Sequence, residues 1–363
     1  MNSSTELGMD SAGTASNRNM DSMKVGLTTE LMKEWRANAV VADAPFNRKK
    51  KLEGIIKRVK KEYAFNMPEY KIDEKFFQKV EDPIAVQRLL FNSLCNAKVV
   101  GEALKDIEMS FYEKDGYRSI LLRSCYFDLF ELILDSLRIP HDNHRHLILG
   151  SPGIGKSWFH IFCLYVLIKA NVPVFIQRNE YSALFFKGEA YSCATLKENV
   201  LLTSTNVWHL YDRDEAPTGI GTGNIAVVVS VPNKVTYKQY AKKCHFGRMF
   251  MPLWSSAEVM KANLLRLPKS LILTEDTLNK RYKLCGGIAR HIFDDFEDYL
   301  TQCVPSKFVY SKKELYLITK GEIENVDYLI FGLNVPRNYF RYEIIFLSKT
   351  GLGGQRNERE LKD

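Results

Sequence analysis

An α/β fold is what three features of this sequence predict: a parallel sheet flanked by helices, with a helical N-terminal region and a small α/β C-terminal extension. The first feature is a short apolar run ending at Leu149 that enters a glycine-rich turn and leaves it as a long apolar run, Trp158 to Ile168. The second is Val172 to Gln177, which follows that helical run and reads as the next strand of a parallel sheet. The third is Ile225 to Val231, apolar without alternation, as in a central strand covered on both faces.

The turn carries the chemistry. Gly150, Gly155, Lys156 and Ser157 fill the spacing G-x-x-x-x-G-K-[ST], and the flanks supply the strand and helix that this phosphate-binding motif requires. Residues Gly150, Ser151, Pro152, Gly153, Ile154, Gly155, Lys156 and Ser157 are therefore expected to cradle a nucleotide. The glycines accept positive φ and let phosphate approach the backbone, so successive N–H groups can converge on an anion. Lys156 is expected to neutralise the β/γ-phosphates and Ser157 to ligate Mg2+, with the helix N-terminus adding its positive end. By average residue usage, the fixed positions would meet by accident in such a chain about one time in a hundred. A chance glycine turn is the weaker reading.

The rest of the chain is ordinary in composition: 363 residues, 45% hydrophobic, 26% charged and a formal net charge of +8. That excludes a fibrous or wholly disordered protein, and the length calls for two or three domains. Seven cysteines, an odd number without C-x-x-C or Cys/His spacing, point to reduced core residues and an intracellular place, nucleus or cytoplasm. No signal peptide is evident. Trp158 to Ile168 is about half the ~20 residues that cross a bilayer, so no membrane partner is expected.

In chain order, residues 1–26 read as a flexible polar tail and 27–140 as a helical accessory domain, with helical character at Arg48 to Tyr63, Ile84 to Val100 and Ser119 to Leu137. Nothing in 27–140 has catalytic spacing. Arg48 to Lys61 carries eight basic residues in fourteen. They form either a nucleic-acid or import patch or the solvated face of an amphipathic helix. A nucleotide-binding domain then spans 141–304, closed by a helical lid, and 305–363 forms a short extension with strand-like runs at Leu315 to Ile318 and Ile344 to Leu347.

Within 141–304, Val207 to Tyr211 is an apolar run ending at Asp212. A carboxylate at a strand's end is where Mg2+ is held opposite the loop hydroxyl, though Asp also ends strands without function. Asp214 and Glu215 lie near enough to orient water, but Arg213 directly follows Asp212. Ser230 and Asn233 end the next run, as phosphate sensors or as a turn. Ser255 with Glu258 three residues on makes a capping box. Arg290, four residues after Gly286, either reaches phosphate from the lid or is an exposed helix residue.

Six segments recur in a familiar order: Gly-Ser-Pro-Gly-Ile-Gly-Lys-Ser (150–157), Leu-Tyr-Asp-Arg-Asp-Glu-Ala-Pro (210–217), Val-Ser-Val-Pro-Asn (229–233), Tyr-Lys-Gln-Tyr (237–240), Phe-Met-Pro-Leu-Trp-Ser (250–255) and Arg-Tyr-Lys-Leu-Cys-Gly-Gly-Ile-Ala-Arg (281–290). Over about Arg145 to Phe296 the chain resembles the Crinkler and retrotransposon hot spot proteins. The resemblance implies an AAA-like or STAND-like P-loop NTPase taking ATP and Mg2+. Lys156 and Ser157 would be its phosphate and metal residues, Asp212 its Walker B acid and Arg290 its lid arginine. Family members often carry a nuclease domain next, and 305–363 shows no metal-nuclease spacing, so a truncated nuclease or a lid segment is expected there. Glu215 is the assigned base. Because the acid does not directly follow Asp212, a switch module that holds nucleotide without hydrolysis is the alternative.

Overall fold

The computed structural model describes residues 47–63, 77–112, 117–139, 144–178, 181–193, 207–212, 225–231, 240, 248–266, 268–294 and 296–297, and the backbone of 331–334 and 343–346. All of them fall in the second of two compact units, Asn47–Asp363. The tail expected at 1–26, and the run Leu315 to Ile318, lie outside the described residues.

The apolar runs become a sheet. Its parallel strands are β5 (His144–Leu149), β6 (Val174–Arg178), β9 (Trp208–Asp212), β10 (Ile225–Ser230) and β11 (Arg248–Phe250), in the spatial order β6-β9-β10-β5-β11. Three antiparallel strands extend the β6 side: β7 (Tyr181–Phe186), β8 (Glu189–Cys193) and β1 (Phe77–Lys79). The protein is thus mixed α/β with a mostly parallel central sheet. Every residue of β10 is buried, which accounts for its unbroken apolar sequence. The parallel register sets Arg178 opposite Asp212, Asp212 opposite Val229, and Ser230 opposite Leu149. Three polar strand ends therefore line up at one rim, beside the loop that follows β5.

Helix α4 (Lys156–Lys169) leaves that loop. It is apolar nearly all round because it is covered nearly all round: Phe159, Ile161, Phe162, Leu164, Val166 and Leu167 are fully buried. At about 1.5–3 kcal/mol for each large side chain removed from water, this helix is a main support of the loop. It packs against β6, β9 and β10 and against three helices from earlier in the chain: α1 (Arg48–Tyr63), α2 (Val86–Asn96) and α3 (Ser124–Ser136). Phe162 meets Phe127 and Phe130 edge-on, and Phe130 stacks on Trp208 of β9.

Residues 27–140 are not helical throughout. Besides the three helices, the described part holds β1, which joins the large sheet, and a second sheet of β2 (Lys98–Val100), β3 (Ala103–Glu108) and β4 (Tyr117–Leu121). The helical reading of Ile84 to Val100 holds only for Val86–Asn96, and that of Ser119 to Leu137 only from Ser124. In β3 a register shift between Leu104 and Ile107, with Asp106 at φ +65°, breaks the two-residue alternation that marks a strand.

The basic helix α1 buries Leu52, Ile55 and Val59, as its spacing implies. Three of its eight basic groups turn to acids of the same unit. Arg48 pairs with Glu102, Lys51 with Asp128 and Glu131, and Arg58 with Glu62 and Asp135. Lys49, Lys50, Lys57, Lys60 and Lys61 remain exposed. At 305–363, the described part is a two-stranded antiparallel pair, β12 (Phe331–Asn334) with β13 (Glu343–Phe346). Among the described residues no helix is long and apolar enough to cross a membrane.

Candidate functional site

The loop Gly150–Ser157 joins β5 to α4 at the carboxyl edge of the parallel strands, where open α/β sheets bind ligands. Gly153 and Gly155 sit at φ +76° and +96°, in the left-handed region that a side chain resists. Both also lack room: a Cβ on Gly153 would lie 2.6 Å from Arg290 Cβ, and one on Gly155 2.6 Å from the Tyr126 hydroxyl. Lys156 folds back over the loop, its ammonium donating to Gly150 O at 2.7 Å and Ser151 O at 2.9 Å.

A collar of side chains holds the loop from behind. Arg123 Nη1 donates to Ile154 O at 3.1 Å, Trp254 Nε1 to the same oxygen at 2.7 Å, and the Tyr126 hydroxyl to Gly155 O at 2.9 Å. Arg123 is the hub. Its Nη2 also donates to Pro252 O and Leu253 O, its Nε meets Glu258 Oε1 at 2.9 Å, and its guanidinium lies 4.8 Å from the Trp254 ring centroid. It is 1% exposed. Burial opposes its charge, but its neighbours, Glu258 among them, hold its pKa above the ordinary value. Burial likewise pushes the Glu258 carboxyl up, and the charge and hydrogen bonds of Arg123 outweigh it, holding the group below the usual range.

Glu258 is at the same time the capping-box residue of α5 (Ser256–Asn263), in which the Ser255 hydroxyl accepts from Glu258 N. That helix start is as the sequence spells it. The lid follows as α6 (Glu275–Cys285) and α7 (Ala289–Phe293). It docks on the loop and its collar through backbone: Arg290 N donates to Gly153 O at 3.2 Å, and Trp254 N to Gly287 O at 2.9 Å.

These parts enclose a cavity of about 710 Å³, within the range that holds a drug-sized or cofactor-sized ligand. Its floor includes Gly153, Gly155, Lys156 and Ser157. The strand rim supplies Arg178, Asp212 and Ser230, and the lid supplies Arg290. A wall that sequence reasoning missed entirely comes from the second sheet and its connection, with Tyr112, Arg118 and Leu121.

Asp212 ends β9 as expected, its Oδ2 buried and without a hydrogen bond, 3.5 Å from Arg178 Nε. The amides of Gly153, Ile154 and Gly155 donate to no acceptor among the described residues. Orphan amides beside a lysine, a serine hydroxyl and an unbonded carboxylate oxygen fit a polyphosphate with a hard cation. The structure thus brings Lys156, Ser157, Asp212, Ser230 and Arg290 to one cavity. Asp214, Glu215 and Asn233 lie outside the described residues. No group of three or more His, Cys, Asp or Glu poised to hold a metal by itself occurs among the described residues.

Fold and loop together define a mixed α/β protein with a glycine-rich loop at the carboxyl edge of its mostly parallel sheet. Over 158 residues, 42% of its length, the chain is 27% identical to Crinkler effector protein 15 of Phytophthora infestans, spanning 25% of that protein. No family model matches. Among solved structures, a RuvB mutant of Thermogota maritima aligns over 57% of this chain and 71% of its own, at 12% identity and a TM-score of 0.32, too loose to carry an argument.

Proposed function

We propose that this chain binds and hydrolyses ATP with Mg2+, as a P-loop NTPase of the Crinkler and retrotransposon hot spot type. The observation that carries the reading is the loop itself, with left-handed Gly153 and Gly155, amides without an acceptor among the described residues, and Lys156, Ser157 and Asp212 lining the same cavity. Lys156 would exchange its two carbonyl acceptors for β/γ-phosphate oxygens. Ser157 and Asp212 would hold Mg2+, which offsets charge on the transferring phosphoryl group. Arg290 would close on the phosphates from the lid, and Glu215 would serve as the base.

The test is phosphate release and nucleotide binding on the same three proteins: wild type, Lys156→Ala and Asp212→Ala. Lys156→Ala is expected to lose both. Asp212→Ala is expected to keep some binding and lose turnover by about a hundredfold or more, the scale of removing one preorganised charge-stabilising group. Tight binding without turnover in the wild type selects the second reading, a nucleotide-held switch. What favours that reading is Arg213 where a second acid would stand.

A nucleic-acid partner is proposed for the five exposed lysines of α1. Charge reversal at Lys49 and Lys50 is expected to weaken binding and flatten its salt dependence, because fewer phosphate counterions are released. Binding that ignores both salt and reversal removes this partner.

A further inference from the structure

The region read as lacking any site residue contributes a side chain to the cavity. Tyr112 ends a short 3-10 turn, Ser110–Tyr112, between β3 and β4. It is 3% exposed, it lines the cavity with Lys156, Ser157 and Asp212, and its hydroxyl has no hydrogen-bond partner among the described residues. A buried hydroxyl left unmatched is costly, and such groups in native folds have a reason to persist. Its neighbours indicate the reason. The Arg178 guanidinium lies 5.1 Å from its ring centroid, and Arg178 Nε is 3.5 Å from Asp212 Oδ2, itself without a hydrogen bond. A phenol, a carboxylate and a guanidinium from three separate elements thus line the same cavity.

We propose that Tyr112, together with Arg178, contacts the terminal phosphate of the bound nucleotide and so distinguishes a triphosphate from a diphosphate. The inference rests on the reading of the cavity as a nucleotide site and adds a residue outside the loop motif. Three things make the assignment specific. Tyr112 is on the wall formed by the second sheet and its connection, not on the loop, so its contact is separate from the one Lys156 makes. A phenol hydroxyl is a donor, as a phosphate oxygen requires. Arg178 and Asp212 are register partners on adjacent strands, so a phosphate that draws Arg178 acts at the residue proposed to hold the metal. Through Tyr112, occupancy by the terminal phosphate would also be felt by the β3–β4 sheet.

The experiment compares wild type, Tyr112→Phe and Arg178→Lys, measuring affinity for ATP and ADP with Mg2+ and the Tm of each protein with and without nucleotide. Tyr112→Phe removes one oxygen and keeps the ring, so the bare protein is expected to keep or raise its Tm. Its affinity for ATP is expected to fall about tenfold or more, the scale of one lost hydrogen bond to a charged group, with ADP affinity within about twofold. Arg178→Lys is expected to narrow the same ATP-over-ADP preference. If Tyr112→Phe binds both nucleotides as wild type does, or loses both equally, the contact with the terminal phosphate is refuted while the nucleotide site stands. If folded wild type binds neither nucleotide, the nucleotide reading fails, and this inference with it.

Discussion

The loop Gly150–Ser157 and the collar behind it touch through three hydrogen bonds, yet they work with opposite parts of the chain. The loop offers backbone: amides without an acceptor among the described residues, glycines where side chains would collide, and carbonyls that accept from the collar. The collar offers side chains alone, the guanidinium of Arg123, the phenol of Tyr126 and the indole of Trp254, all donating to those carbonyls. A backbone cradle cannot hold its own shape, because strained left-handed residues persist only where surroundings over-determine them. The collar supplies that constraint and takes up acceptors that would otherwise compete for the loop's amides. The loop's open amides and the support that holds the loop are therefore carried by different residues and can be separated by mutation.

The largest expected separation is at Arg123. Arg123→Leu leaves the carbonyls of Pro252 and Leu253 without their donor, leaves Ile154 O to Trp254 alone and takes the guanidinium from the Glu258 carboxylate, and breaking a buried charge pair costs about 3–5 kcal/mol. Denaturant unfolding should show that loss, whereas Lys156→Ala should leave the midpoint nearly unchanged. Approaching Glu258 from its exposed side is milder: Ser255→Ala removes a cap worth about 1 kcal/mol. If Arg123→Leu unfolds no more easily than Ser255→Ala, the collar is not what holds the loop.

Acid should weaken the two regions in sequence. His146 in β5 and His160 in α4, the elements on either side of the loop, are held neutral by burial, with pKa values lowered to about 3 and about 4. In the unfolded chain they take a proton below about 6.5, and in the folded chain only near those lowered values. Stability should therefore fall as pH drops from 6.5 toward 4, by at most about 2 kcal/mol for each histidine at pH 5. The Glu258 carboxyl is depressed instead, so its contribution is intact above about 4.5 and is lost only as pH falls below that. Unfolding midpoints measured from pH 7 to 4 should decline before Glu258 titrates. A flat profile down to 4.5 would mean that these histidines are protonated without cost.

Much of the site was legible beforehand, for a physical reason. Gly150 to Ser157, the strands at Val174, Trp208 and Ile225, Asp212 at a strand end and the capping box at Ser255 are each written in contiguous residues, because strand burial, turn geometry and capping are local. Tyr112, Arg123 and Arg178 carry no such signature. Arg123 looks like a polar residue before a helix, and only the fold sets it against a carbonyl 31 residues away and a carboxylate 135 residues away. Likewise, eight clustered basic residues in α1 looked like one patch until packing gave Arg48, Lys51 and Arg58 acidic partners from outside their own run.

By itself the sequence determined an α/β chain with a glycine-rich loop between a strand and a buried helix, because those features depend on neighbours along the chain. The tertiary structure alone decided that a second sheet walls the cavity, that Arg178 meets both Tyr112 and Asp212, and that a buried arginine holds the loop. Those are encounters between distant segments, and their energy comes from burial and pairing that no local pattern records.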